Sequence, residues 1–528
     1  MRVSRLMNRL CTILLGMLCL ISTGAQPPNI IYILTDEQRL ESFGCYGAQE
    51  FLTPNIDDLA INGVVFDNAH YAVSICMPSR ATSLTGRYLS SHQCGFVHPH
   101  NKALSHEEMK QTYPYQLKQA GYRTGFIGKF GVPVTEDGER GLRLDRKVEP
   151  YDEKKNLGET FDFFVGNMTH FGKNAKETTY WPEDDSTLAS IYQEKNNVQL
   201  DRSVKTGDAM LHFLETNPKG KPFCLSVSFF AAKGTLGKSV YPEHYELFKD
   251  KTFTYPQNWV KGENGSLPKF IQENWRGVPL HKGMTGHDGG FQKTMRVFAA
   301  QGYTIDQQVG KLVAKLKEKE ILENTVIIFT SDNGRFWGSR GLYDKALLYE
   351  ESTRKPLVIF DGRLAKELRG KRINQLVSSV DDAVSILGMA GISAPDHMQG
   401  ADYSCLMREN APKEWQNTVF MENLFLSKLF TNTRNLKGGD EVINKEMIAS
   451  GQSYRCRAVR TARYKYIRYY EQSPVYEELY DLKEDPQELV NLVPLEAYQA
   501  VLGQLRDRLA QMYAKVAKGE KPQAYFSE

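Results

Sequence analysis

An excess of charge of either sign is the first thing this 528-residue chain lacks: 66 Lys and Arg stand against 63 Asp and Glu, a formal net charge of +3. Proteins that grip nucleic acid by neutralising phosphates carry a clear basic excess, so nucleic acid is not an expected partner. Beyond the N-terminus there is no apolar run of membrane-spanning length, and no membrane span is expected there. Cysteine is sparse, eight residues in all, and none forms a C-x-x-C pair. That spacing argues against a structural zinc site or a dithiol redox centre. Internal repeats and low-complexity segments are also missing. With 41% hydrophobic and 24% charged residues, the composition is that of an ordinary globular protein.

Residues 1–25 stand apart. Arg2, Arg5 and Arg9 precede the apolar stretch Cys11 to Ile21, and Thr23-Gly24-Ala25 offers small residues ahead of Gln26. This order is that of a secretory signal peptide, and the apolar stretch is shorter than the roughly 20 residues a span needs. Cleavage removes three arginines and no acid, leaving 63 residues of each sign. The exported chain, periplasmic or secreted, is therefore formally neutral. Its remaining cysteines are Cys45, Cys76, Cys94, Cys224, Cys405 and Cys456. They are too few for a disulfide framework but leave room for one or two bridges in an oxidising compartment.

Asn29 to Leu34 is a continuous apolar run, the pattern of a strand buried on both faces, and it ends at Thr35-Asp36-Glu37. Thr53-Pro54 starts a helix stopped by Gly63, and Val64 to Phe66 resumes a strand. The same alternation continues through a helix at Tyr113 to Ala120 and strands at Arg123 to Ile127 and Phe223 to Phe230. It closes with a long helix at Phe291 to Lys319 and strands at Thr325 to Thr330 and Pro356 to Phe360. This predicts an α/β fold with a large, mostly parallel sheet sandwiched by helices, spanning residues 26–414. Residues 131–200 and 234–290 read as polar interruptions. Residues 415–528 change character: Tyr464 to Tyr469 alternates like an antiparallel strand, and Leu495 to Val516 reads as a terminal helix. A smaller α+β subdomain is expected there.

The chemistry concentrates at Cys76-Met77-Pro78-Ser79-Arg80-Ala81-Thr82-Ser83-Leu84-Thr85-Gly86-Arg87. Pro78 suits the first turn of a helix, which puts Cys76 at a helix N-terminus, where free N–H groups and the dipole favour negative charge. Arg80 and Arg87 add fixed positive charge. An anion held beside a reactive side chain follows; an isolated buried cysteine would be the plainer reading of Cys76 alone.

This segment resembles the signature of the type I sulfatases, C-x-P-S-R-x-x-x-L-T-G-R, with every fixed position present. The resemblance runs from Pro28 to about Leu492 and implies an alkaline phosphatase-like fold. It implies that Cys76 is oxidised to Cα-formylglycine by a formylglycine-generating or anaerobic sulfatase-maturing enzyme. One hydroxyl of the hydrated aldehyde then attacks the sulfur of a sulfate ester, and the other expels sulfate. Asp36 resembles the family's first calcium-binding aspartate, with Glu37 beside it, and Asp332-Asn333-Gly334 resembles its second metal-binding pair. Oxygen donors of this kind imply calcium rather than zinc, with the residue made from Cys76 completing the set; taken alone, Asn333-Gly334 would mean a turn. Lys129 and Lys345 match sulfate-contacting lysines of the family. Arg39, Arg335, Trp337 and Arg340 flank the metal-bearing segments and are candidate substrate contacts.

Three positions depart from the family pattern. Glu37 stands where a second aspartate is usual. Gly131 stands where the family has the histidine that helps deprotonate the hydrate. Lys233 stands where it has a second histidine that contacts the sulfate. His92, His98, His100, His170, His281 and His287 are candidates for the missing base. The expected function is an exported sulfatase acting on a sulfated carbohydrate or glycosaminoglycan. The alternatives are a phosphodiesterase or phosphonate hydrolase of the same superfamily, and a sulfatase-like protein that binds sulfated glycans without turnover.

Overall fold

The computed structural model describes residues 26–96, 99–139, 152–167, 179–193, 202–232, 240–260, 266–275, 277–278, 290–424 and 440–522. Residues 1–25 lie outside them, and among the described residues no helix is long and apolar enough to cross a membrane.

Among the described residues a nine-stranded sheet organises the larger part of the fold. In chain order its strands are β1 (Asn29–Thr35), β2 (Val64–Phe66), β3 (Arg123–Lys129), β4 (Phe163–Asn167), β5 (Thr179–Trp181), β6 (Phe223–Ser228), β7 (Thr325–Ser331), β8 (Leu357–Asp361) and β9 (Lys371–Ile373). Across the sheet they lie in the order β9-β2-β8-β7-β1-β6-β3-β4-β5. Only β8 and β5 run against the others. The fold is thus the mixed, mostly parallel α/β sandwich expected.

Strand β1 sits at the centre, and its alternating side chains divide the core. Ile30, Tyr32 and Leu34 face a layer containing helices α2 (Cys76–Thr85), α3 (Tyr113–Gln119) and α6 (Asp381–Met389). Ile31 and Ile33 face α1 (Pro54–Ile61), α4 (Arg202–Glu215) and α5 (Gly290–Glu318). A strand covered on both faces needs apolar residues at every position, which is why this segment shows no polar alternation. Each such aliphatic side chain contributes about 1.5–3 kcal/mol on burial.

The polar reading of residues 131–200 needs correcting, because β4 and β5 come from that stretch and extend the main sheet. Their signal is aromatic and short: Phe164 stacks on Trp181 with ring centroids 4.4 Å apart. Strands of five and three residues inside a polar segment leave too little periodicity to read. The room left for one or two bridges is not used: all six described cysteines are free.

The C-terminal part is an antiparallel sheet of β10 (Thr418–Asn423), β11 (Cys456–Thr461), β12 (Tyr464–Tyr469) and β13 (Tyr476–Asp481), with helix α7 (Gln499–Val516). Phe420, Val459, Tyr466 and Leu479 pack on α7. Met421, Ala458, Ile467 and Tyr480 pack instead on Phe336, Leu342 and Tyr349. The small sheet therefore supports the loop 334–349 that follows β7.

Candidate active site

Strands β1, β3, β6 and β7 all end at one edge of the sheet, and helix α2 begins there. Open α/β sheets gather ligands at this edge because the loops leaving parallel strands converge on it. Here the edge collects Asp36 and Glu37 after β1, Lys129 at the end of β3, Ser228 at the end of β6, and Asp332 and Asn333 after β7. Backbone bonds from Phe229 N to Leu34 O at 2.9 Å and from Asp36 N to Ala231 O at 3.1 Å carry the β1–β6 pairing past the strand ends.

Cys76 is the first residue of α2, with Ile75 as an N-cap that makes no side-chain cap bond. All ten residues of this helix are buried, so it is held by packing rather than by capping. Lys345 Nζ lies 3.1 Å from Cys76 Sγ. The sulfur in turn lies 3.7 Å from Asp36 Oδ1 and 3.8 Å from Glu37 Oε1.

Charge is arranged in two layers around that sulfur. Lys345 and Arg335 both ion-pair with Glu37, and Lys129 ion-pairs with Asp36. The Arg335 guanidinium sits over the rings of Trp337 and Tyr343, 4.6 Å from each centroid, which fixes its plane. Deeper in, Arg80 donates from Nε to Asp332 Oδ2 at 2.9 Å, and from Nη1 to Lys129 O at 2.7 Å and Ser228 Oγ at 2.5 Å. Burial works against the Arg80 charge, but Asp332 and Asp36 outweigh it and hold the guanidinium above its ordinary pKa. Arg80 thus ties α2 to β3, β6 and β7 at once.

Glu37 has a φ of 63°, in the left-handed region that non-glycine residues seldom occupy. Its N–H donates to Asp332 Oδ1 at 3.0 Å. Strain of this kind costs on the order of 1–3 kcal/mol and persists where surrounding contacts enforce it, commonly at functional sites. Here it sets Glu37 beside Asp36 and Cys76.

The donor chemistry fits a hard cation. One ligand atom each from Asp36, Glu37 and Cys76 lies within 4.8 Å of the others. The side-chain oxygen of Asn333 is buried and meets no hydrogen-bond donor among the described residues, while its Nδ2 donates to Gly334 O at 2.9 Å. A buried oxygen left without a donor is the group a calcium ion satisfies.

The structure brings Cys76, Arg80, Lys129, Lys345, Asp36, Glu37 and Asp332 together, with Asn333 next in the chain after Asp332, whereas Lys233 lies outside the described residues. So do His98, His170, His281 and His287. His92 is fully engaged: Cys94 N donates to its Nδ1 at 3.0 Å and its Nε2 meets Thr82 Oγ1 at 3.1 Å. Burial also pushes its pKa well below the ordinary value, so it is a neutral packing residue. Gly131 has a φ of 69°, a conformation glycine adopts freely. Arg340 is no surface contact: it is fully buried, and its Nε donates to Glu351 Oε1 at 3.2 Å. Ser228, which the sequence reading does not single out, completes the Arg80 clamp; its one signal is its place at the end of a buried strand.

A family model described as Sulfatase matches residues 28–392, and one described as N-sulphoglucosamine sulphohydrolase, C-terminal, matches residues 445–515. An N-acetylglucosamine-6-O-sulfatase of Bacteroides thetaiotaomicron is 26% identical, covering 94% of this chain and 89% of its own. An ulvan-active sulfatase of Formosa agariphila is 25% identical, covering 94% and 83%. Among solved structures, one described in complex with its substrate D-glucosamine-2-N,6-O-disulfate superposes with a TM-score of 0.67 at 24% identity, covering 95% of this chain and 100% of its own. The phosphonate monoester hydrolase of Agrobacterium radiobacter gives 0.68 at 18% identity, covering 93% and 96%.

Proposed function

The chain belongs to the sulfatase family, within the alkaline phosphatase-like superfamily, and from that premise we propose that it is an exported enzyme that removes sulfate esters from carbohydrate through a nucleophile made at Cys76. Hydrolysis of sulfuric esters is the family's activity. The carbohydrate substrate rests on the relatives named for N-acetylglucosamine 6-O-sulfate and ulvan. The observation that carries the nucleophile is Lys345 Nζ, 3.1 Å from a sulfur at the first turn of a buried helix.

Oxidised by a maturing enzyme to Cα-formylglycine, position 76 would supply a hydrated aldehyde, with one hydroxyl to attack sulfur and another to expel sulfate. Asp36, Glu37, Asp332 and Asn333 would hold calcium, whose charge polarises sulfate oxygens. The protein's own groups do the rest. Lys345 donates to a sulfate oxygen set against position 76, and Lys129 supplies a second cationic donor beside Asp36. Preorganised donors of this kind are worth most in a water-poor site. Arg80 donates from Nε and Nη1 to Asp332, Lys129 and Ser228; its role is to position those groups. Arg335, resting against the rings of Trp337 and Tyr343, orients Glu37 in the same way.

The test is a screen of the matured protein against sulfated oligosaccharides, with an aryl sulfate and an aryl phosphate ester alongside. Release of sulfate from a saccharide, with sulfate ester preferred over phosphate ester, is the expected result. A preference for the phosphate ester would move the reading to hydrolysis at phosphorus.

A further inference from the structure

Beside the candidate active site lies a cavity of about 520 Å³, between the large sheet domain and the C-terminal subdomain. Its volume falls within the roughly 300–1,000 Å³ of small-molecule sites, which favour such interfaces. None of Asp36, Glu37, Cys76, Lys129, Asp332 or Lys345 lines it. The two places meet at Trp337, which lines the cavity and also carries Arg335 over its ring.

One wall is aromatic. Phe51, Phe298 and Trp337 follow one another, with centroids 5.7 Å apart for the first pair and 5.0 Å for the second. Three arginines, Arg39, Arg354 and Arg460, face four glutamates around the rest. The glutamates are all engaged within the protein. Glu41 accepts from Arg39 Nε at 2.9 Å, Glu50 from Thr254 N at 2.7 Å, and Glu351 from Asn258 Nδ2 at 2.5 Å, while Glu350 pairs with Lys465 Nζ at 2.6 Å. The donors are not all engaged. Arg460 is 5% exposed and Trp337 1%. Yet Arg460 Nε and Nη1 and Trp337 Nε1 meet no acceptor among the described residues. Buried N–H groups left unpaired are costly, and they mark a place where an acceptor belongs.

We propose that this cavity binds an uncharged sugar segment, resting on the carbohydrate reading above. A sugar ring offers an apolar C–H face to the aromatic wall and hydroxyl or amide oxygens to Arg460 and Trp337. The near-balance of arginine and glutamate gives the cavity no net field to draw a polyanion, so the segment recognised is one without sulfate. The enzyme then holds its glycan at two places, the sulfated unit at position 76 and a neutral unit here. This makes Gln257 and Thr254, exposed on the cavity lining, determinants of specificity.

The experiment is calorimetric titration of neutral oligosaccharides of hexoses, deoxyhexoses and N-acetylhexosamines into the full chain and into the cavity-blocking variants Gln257→Trp and Thr254→Trp. Desulfation kinetics run in parallel on a sulfated oligosaccharide and an aryl sulfate. The expected result is salt-insensitive binding of a neutral oligosaccharide, weakened about tenfold or more in both variants. KM for the sulfated oligosaccharide should rise to match, while turnover of the aryl sulfate stays unchanged. Arg460→Lys, which keeps the charge near Glu350 but loses the planar N–H donors, should weaken binding as well. Neutral-saccharide binding with no desulfation of any saccharide would overturn the carbohydrate reading and leave the cavity assignment standing. Desulfation of a saccharide with binding and KM unmoved by both blocking variants would overturn the cavity assignment alone.

Discussion

Lys345 Nζ stands 3.1 Å from Cys76 Sγ although the two residues are 269 positions apart. Two separate devices produce that meeting. Helix α2 is buried along its whole length and presents its first residue at the sheet edge. The loop after β7 is backed by the C-terminal sheet through Leu342 and Tyr349. The C-terminal subdomain thus braces the loop that carries the lysine.

Lys345→Met is expected to lower kcat by about 10²- to 10³-fold, the usual loss for one preorganised donor to a developing anion. Circular dichroism should stay native. Unchanged turnover would remove Lys345 from the sulfate.

Arg80→Met should be the most destabilising of the site substitutions. Arg80 Nη2 and Asp332 Oδ2 form a buried pair at 2.8 Å, and removing one partner of such a pair costs about 3–5 kcal/mol. Adding Asp332→Asn to Arg80→Met should recover part of that loss, because the uncompensated charge is gone. Strict additivity in urea denaturation would contradict the clamp.

Calcium should raise the thermal midpoint of the protein, by about 2.7 kcal/mol of stability at a hundredfold excess over Kd, and a chelator should reverse it. Asn333→Leu and Glu37→Gln are each expected to shrink the shift. A midpoint indifferent to calcium would refute the assigned donor set.

Glu478 predicts a pH dependence. Burial pushes its carboxyl up to about 7, against the opposing effect of the Tyr349 hydroxyl donating to it at 3.1 Å. The unfolded carboxyl titrates near about 4.3, so between these values the folded state holds a proton the unfolded chain has released. Its contribution is present in full below about pH 4, falls as pH rises toward 7, and is lost above that. Glu478→Gln, a neutral mimic, should exceed the parent in stability at pH 8 by up to roughly 3 kcal/mol. Parallel pH profiles in urea denaturation would contradict this.

What the sequence displays and what it hides follow from range. Strand β1 is readable because a run of β-branched and apolar residues has one sensible fate, burial on both faces. Strands β4 and β5 are not, because their burial rests on aromatic contacts such as Phe164 with Trp181 rather than on periodicity. In the site, Cys76 and Arg80 share one local motif and can be read together. The bond from Arg80 to Ser228 spans 148 positions, and no local pattern announces it. The left-handed backbone of Glu37 likewise goes with a bond to Asp332, 295 residues away.

The most direct measurement is peptide mass analysis at position 76 in protein made with a sulfatase-maturing enzyme, paired with sulfate release by the same preparation and by Cys76→Ala. The expected result is an aldehyde at position 76, sulfate release from a sulfated saccharide, and a folded but inactive Cys76→Ala. Only thiol at that position together with full turnover, or turnover retained in Cys76→Ala, would contradict it.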